Sequence, residues 1–179
     1  MITLKHNVRF NLSIMVKKKN ILGTSVITQI GIVVHDIEKT SQAFTEFFNV
    51  KKPSWSRTAP RKKTNAEYRG NPTEARAKLA FFRFKNIALE LIEPDEHPST
   101  WREFLDEKGE GVHHIAFGVK DRKAKYSLME EKGFNIAQKG DFTGGHYAYI
   151  DTDRYKLDKL GHSSKLSTVA ISETDKGIS

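Results

Sequence analysis

Gln29-Ile30-Gly31-Ile32-Val33-Val34-His35-Asp36 and, 85 residues further on, His114-Ile115-Ala116-Phe117-Gly118-Val119-Lys120-Asp121 are the two stretches that decide the fold. Each opens on a polar side chain with a donor atom, runs through five apolar or small residues, and passes one polar residue to reach an aspartate. A continuous β-branched and apolar run reads as a buried strand. An aspartate just after it is placed to cap a helix, because its carboxylate accepts a free backbone N–H of the first turn. The likeness continues beyond both aspartates. Phe44, Phe47 and Phe48 make one apolar stripe of a helix over 37–48. Ala124 and Leu128 mark a second helix over 122–132, ended by Gly133. Strands at 78–84 and 87–92, joined by Lys85-Asn86, come after the first helix. Strands at 134–138 and 146–151, separated by Asp141 to Gly145, come after the second. The chain therefore reads as α+β, two copies of a βαβββ module over 25–98 and 99–161.

The remaining segments are less regular. Residues 51–75 are polar and contain Pro53, Pro60, Gly70 and Pro72, the composition of a long loop or weak edge strands. Thr100 with Glu103 forms a capping box for a short helix through Glu107. Residues 1–24 read as a flexible extension, and 162–179, rich in Ser, Thr, Lys and Gly, as a disordered tail.

With 179 residues, 37% of them apolar, the chain is long enough to bury a core without a staple. It has no cysteine, which excludes disulfides, thiolate metal sites and cysteine nucleophiles and fits a reducing, cytoplasmic compartment. No apolar run approaches the ~20 residues that span a bilayer. The net charge is +8, but residues 1–20 carry five basic residues and no acid, and residues 51–63 carry six more and no acid, so the body is mildly acidic. No RNA- or DNA-binding motif accompanies that charge, so a nucleic-acid partner is not expected; a solvated surface or a site for an anionic substrate is. Dinucleotide, P-loop, serine-hydrolase and zincin signatures are missing.

The motifs QIGIVVHDIEKT, KLAFFRF-KNIALELIEP and GEGVHHIAFGV, spread over residues 26–152, resemble the vicinal oxygen chelate superfamily, which includes glyoxalase I, methylmalonyl-CoA epimerase, extradiol dioxygenases and bleomycin-resistance proteins. The last two motifs look most like the epimerase and lactoylglutathione lyase branches. The resemblance implies a curved mixed sheet, a half-barrel built from paired modules, whose strands aim four ligands at one divalent metal: cobalt, nickel, manganese, zinc or iron. It matches Gln29 to the first ligand, Glu90 of LELIEP to the second, and His114, the second histidine of the pair, to the third. Strand alternation is expected to turn His113 to the opposite face. The expected fourth ligand is a glutamate in a closing I-E-L strand about ten residues after Asp151-Thr152. Counting without gaps reaches Gly161, and Asp158 takes the place only if about three residues are missing. Glu74, before the second ligand strand, matches the family's other acid–base carboxylate.

Each residue also has an ordinary structural role open to it. Gln29 opening a buried strand can bond to backbone, His114 can be a satisfied core histidine, and Glu74 and Asp158 can be surface carboxylates. Trp55, Trp101 and Tyr147 read as packing groups. The resemblance implies a metal-dependent isomerase or lyase, most like methylmalonyl-CoA epimerase, that moves a proton beside a carbonyl, with Glu74, Glu90 and Asp158 as its catalytic carboxyls. An acyl-CoA or a glutathione adduct would be its substrate and a homodimer its assembly. The alternatives are a lactoylglutathione lyase and a non-catalytic small-molecule binding protein with the same cavity.

Overall fold

The computed structural model describes residues 20–152 and 168–175. The first module contains strand β1 (Ile27–Val33), helix α1 (Ile37–Phe48), and the short elements β2 (Ser56–Arg57), α2 (Arg61–Thr64), β3 (Glu67–Tyr68) and β4 (Asn71–Pro72). It ends with the hairpin β5 (Ala77–Arg83) and β6 (Ala88–Pro94). Helix α3 (Thr100–Lys108) leads to the second module: β7 (Gly111–Gly118), α4 (Arg122–Glu131), β8 (Asn135–Phe142), β9 (Gly145–Asp151) and β10 (Thr168–Thr174). All ten strands join one curled mixed sheet, a half-barrel in the order β2-β5-β6-β1-β7-β10-β9-β8-β3-β4.

The β1–β7 ladder sits at the middle and carries the symmetry of the whole. Ile30 lies opposite Ile115, Gln29 opposite Ala116, and Gly31 opposite His114. Exchanging each residue for its counterpart 85 positions away maps these pairs onto themselves, so a local two-fold axis passes between Ile30 and Ile115. Outward from that axis, β1 pairs parallel with β6 and β7 pairs parallel with β10. The antiparallel pairs β5–β6 and β9–β10 extend the two halves.

Alternation along the strands sorts the side chains into two faces. On the convex face Val34, Ile37, Ala80, Phe82 and Leu91 pack under α1, with Phe44 against Phe82. The Asp36 carboxylate accepts the Lys39 N–H and so caps α1 as its sequence predicts. Val119, Met129, Ala148, Ile150 and Ile171 pack under α4. On the concave face Val33, Ile92, Trp101, Phe104, Tyr149 and Ala170 close one end against α3. The cap of α3 is Ser99, one residue before the expected Thr100. Thr100 is engaged elsewhere: its N–H and its hydroxyl both meet the buried Gln138 Oε1, at 2.8 and 3.2 Å.

Residues 51–75 do more than loop. They pair with β5 at one edge of the sheet as β2 and with β8 at the other as β3, so the segment between crosses the open side of the half-barrel. Asn65 holds Asp141 at 2.8 Å, and Tyr68 and Arg69 hold Glu103 at 2.9 and 2.7 Å, which anchors the far end.

The largest departure from expectation is at the end of the chain. Within the tail expected to be disordered, Thr168–Thr174 forms β10, inserted between β7 and β9. Without it both neighbours would leave a row of backbone N–H and C=O groups unpaired inside the sheet. Its apolar run is only Val169-Ala170-Ile171, too short to stand out from a Ser/Thr-rich background. Ile171 is 1% exposed in the α4 core, so Ile171→Ala is expected to cost about 2–5 kcal/mol in urea unfolding. A tail outside the fold would leave the urea midpoint unchanged.

Candidate functional site

Gln29, Glu90 and His114 reach the concave face from three different strands and meet there. The Gln29 amide Nε2 donates to Glu90 Oε2 at 2.5 Å and lies 3.3 Å from His114 Nε2. Glu90 Oε2 and His114 Nε2 are 3.7 Å apart. The neighbours of Glu90, Leu89 and Leu91, turn to the convex core, so alternation alone delivers one carboxyl to the inner face. Glu90 is 6% exposed and His114 fully buried.

Room for the imidazole comes from Gly31. A methyl group at that position would run into the His114 ring, which lies directly over the glycine in the cross-strand pair. The second support is His113. Strict alternation sends it to the other face, but the β1–β7 ladder slips there: Gly31 pairs with His114 while Ile32 pairs with Val112. His113 is the extra residue of this β-bulge, and a bulge re-aims side chains. The two Nδ1 atoms end 3.0 Å apart, and both rings pack on Tyr149. One imidazole must donate and the other accept at that contact. Donation from His114 Nδ1–H leaves its Nε2 lone pair facing Gln29 and Glu90, the tautomer that a ligating histidine needs.

Burial sets the charge state of this group. It pushes the Glu90 carboxyl up to about 8 and the His114 imidazole down to about 3. His113 is also lowered, by burial first and by the neighbouring His114 second. Tyr147 is raised to about 12, mainly by burial. The four groups are held neutral near pH 7, as expected where the medium penalises isolated charge.

The three donors lie at the base of a cavity of about 620 Å³. Leu79, Phe81 and Trp101 give it an apolar wall, and Tyr147, Tyr149, Arg57 and Arg83 stand among its lining residues. The crossing segment contributes Thr58, Ala59, Thr64 and Ala66 as a cover.

A carboxylate, an imidazole and an amide suit a borderline divalent cation. Their spacing of 2.5–3.7 Å matches donors that share one ion. A half-turn of the Gln29 amide presents oxygen in place of nitrogen, and the two are interchangeable in assignment. Gln29, Glu90 and His114 therefore fit the group that the sequence leads one to expect.

Of the other expected residues, Glu74 lies apart from this cluster. Glu74 has a side chain 61% exposed and pairs with Arg61 at 3.8 Å, while its neighbours Thr73 and Ala75 take the buried positions. Asp158 lies outside the described residues. The register gives the position related to Glu90 by the two-fold. Gly31 pairs with Glu90 on β6, and its two-fold counterpart Ala116 pairs with Ala170 on β10. Ala170, within Val169-Ala170-Ile171, is thus the two-fold counterpart of Glu90. Trp101 and Tyr147 belong to the cavity wall as well as to packing, whereas Trp55 is a surface group bonded to Glu38 at 2.6 Å. Asp95, Glu96 and His97 also cluster, but Asp95 is already paired with Arg57.

This geometry makes two claims that can be measured. Gly31→Ala should displace the His114 ring and weaken divalent-metal binding about 10–100-fold in titration calorimetry, the usual scale for supports of a ligand; unchanged affinity would separate His114 from the centre. The second concerns pH with chelator present. Unfolded glutamate ionises near 4.5, so raising the folded value to about 8 favours folding below that window and is lost as pH climbs through it. The lowered histidines act in the opposite sense, favouring folding above about 6.5 and losing that contribution as pH falls. Thermal stability should therefore decline from about pH 6.5 to 8. Glu90→Gln should flatten that decline; an unaltered slope would put its origin elsewhere.

Comparison with known proteins agrees with this architecture. In the crystal structure of a hypothetical protein from Bacillus halodurans C-125, the likeness has a TM-score of 0.56 at 20% identity and covers 86% of this chain and 96% of that one. A methylmalonyl-CoA epimerase bound to methylmalonyl-CoA gives 0.54 at 19% identity, covering 86% and 97%. The methylmalonyl-CoA epimerase of Mycobacterium tuberculosis gives 0.54 at 14% identity, covering 86% and 89%. At such identities the likeness is one of fold. Among curated proteins, the uncharacterized protein YqjC of Bacillus subtilis is 48% identical over 44 residues, which span 25% of this chain and 31% of that protein. Residues 28–150 match the Glyoxalase/Bleomycin resistance protein/Dioxygenase superfamily, and with paired modules, a half-barrel and a donor cluster at its base, the chain belongs to that superfamily.

Proposed function

We propose that this chain is a metal-dependent isomerase or lyase that moves a proton at the carbon next to a carbonyl group. The observation that carries the reading is the convergence of Gln29, Glu90 and His114 at the base of a largely apolar cavity. These three residues would hold one divalent cation. A cation bound there supplies Lewis-acid stabilisation of the negative charge that gathers on the carbonyl oxygen as the neighbouring carbon loses its proton.

The chain's own groups perform the rest. Glu90 is the one carboxyl among the three donors, which makes it the group to take a proton from carbon and return it. Tyr147 and Tyr149, both held well into their protonated range, offer O–H donors to substrate oxygens. Leu79, Phe81 and Trp101 exclude water from the reacting carbon. An acyl thioester, the substrate class bound by the methylmalonyl-CoA epimerase neighbour, and a glutathione hemithioacetal both present the required carbon beside an oxygen.

Inversion of a carbon requires acid–base groups on both of its faces. Here Glu74 points to solvent and the place related to Glu90 by the two-fold holds Ala170. Proton removal and return by one carboxyl, as in a lyase or a 1,2-isomerisation, is therefore better supported than epimerisation. The methyl group of Ala170 at that place supports a second reading, a binding protein that uses the cavity without turnover.

Elemental mass spectrometry after reloading with cobalt, nickel, manganese or zinc is expected to find near one metal per chain, lost in His114→Ala. The loaded protein should then exchange the α-proton of a 2-methylacyl thioester or a hemithioacetal for solvent deuterium, and Glu90→Gln should not. Metal without exchange would select the binding protein; no stoichiometric metal would remove the isomerase–lyase reading.

A further inference from the structure

Both bulges in the β1–β7 ladder stand next to a donor of the cluster. The pairing slips between Ile27 and Gln29, where Thr28 is the extra residue, and again between Gly31 and Ile32, opposite the extra His113. Thr28 and His113 lie 85 positions apart, so the local two-fold exchanges them as it exchanges Gln29 and His114. Their side chains are engaged differently. Thr28 Oγ1 donates to the Ala116 carbonyl at 3.1 Å, a bond to backbone. His113 Nδ1 instead comes to 3.0 Å from Nδ1 of the donor beside it, His114. The two donors have different needs. An amide offers a cation its one oxygen, whereas a neutral imidazole has two nitrogens, and a proton on the wrong one removes it as a ligand.

We infer that His113 is a positioning residue: its Nδ1 accepts the Nδ1–H of His114 and so keeps the His114 Nε2 lone pair turned toward Gln29 and Glu90. The inference deepens the metal-centre reading above and rests on it for the use made of that lone pair. The direction of the shared proton is set on the far side of His113. That ring also meets the Thr100 backbone in a hydrogen bond that favours a proton on the ring, as an accepting carbonyl does. With Nδ1 turned to His114, Nε2 is the nitrogen left to donate to Thr100. The reverse arrangement, a proton on His113 Nδ1, would set a bare Nε2 against a carbonyl oxygen, acceptor against acceptor. Packing keeps all the partners in place. The N–H and hydroxyl of Thr100 both meet the buried Gln138 Oε1. His113 is 1% exposed, with Phe104 and Tyr149 edge-on to it at 5.4 and 5.2 Å between ring centroids. The His114 ring lies on Gly31 with no room for a Cβ beneath it.

The test reads proton positions in the full chain after chelation, with the histidine nitrogens isotopically labelled. Long-range nitrogen–proton NMR of the wild type near neutral pH should find the His114 proton on Nδ1 and the His113 proton on Nε2. A nitrogen–nitrogen coupling should cross the hydrogen bond between the two Nδ1 atoms. A His114 proton on Nε2, or no coupling, overturns the inference. His113→Phe keeps a ring at the site and removes the acceptor, so His114 should lose its single tautomer and cobalt(II) affinity in calorimetry should fall about 10–100-fold. His113→Gln, whose amide can accept from His114 and donate to Thr100, should restore the tautomer and most of the affinity. A His114 tautomer unchanged in His113→Phe overturns the inference, as does a cobalt affinity closer to wild type in His113→Phe than in His113→Gln, the order that mere space-filling gives. A wild type that shows the coupling but binds no cobalt removes the metal-centre reading and leaves His113 as the residue that sets the His114 tautomer. Should His113→Phe fail to fold, the wild-type coupling and proton positions decide alone.

Discussion

Everything at the site depends on one antiparallel ladder. Because Ile30 faces Ile115 on the local axis, Gln29 and His114 fall on the same side of the sheet, one step to either side of it. A shift of one residue in that pairing would put the two on opposite faces, since strand side chains alternate. The two residues opposite them, Gly31 and Ala116, are correspondingly small, and at Gly31 any Cβ collides with the imidazole. The donor cluster and the close approach of the two central strands are thus one constraint. Neither can be changed without the other.

Burial adds an electrostatic consequence. A carboxyl pushed up to about 8 and an imidazole pushed down to about 3 cannot form an ion pair near neutral pH, although they lie 3.7 Å apart. The cluster is held as neutral hydrogen-bonding groups, with the Gln29 amide donating to Glu90 and the two imidazoles sharing one proton contact. Such a group is costly to charge and cheap to keep neutral. A bound cation would reverse that preference, since its ligands must be deprotonated. The apolar wall therefore couples proton release to anything positive that the three donors hold.

Much of this is legible in the sequence, where the signal is local. The run QIGIVV, the aspartate cap and the phenylalanine stripe specify β1 and α1, and α1 begins and ends where its periodicity predicts. Glu90 and His114 stand out because each interrupts an apolar strand. The features that stay hidden depend on distant partners. β3 and β4 are two residues each and exist only because β8 offers an edge. His113 lies on the face that alternation denies it, because a bulge is a property of the pairing and leaves no mark in the strand's own residues. β10 comes after a long stretch whose length upsets the spacing, and threonine and serine, which sit well on a pleated strand, read as tail composition.

That displaced strand also changes how the missing ligand is understood. Counting forward from Asp151 suggests a damaged last strand, with Asp158 as a makeshift donor. The paired ladders show an intact strand with its hydrogen bonds to β7 and β9 in full register and a single altered side chain facing the cavity. Degeneration would be expected to loosen the strand before, or together with, the ligand. Here the backbone, the buried Ile171 and the inward-facing Ala170 and Ser172 are all in place. The two halves thus share one backbone plan and differ at this inward position by a single side chain, a carboxyl on β6 and a methyl group on β10, and function lives in such side chains more than in the fold that carries them.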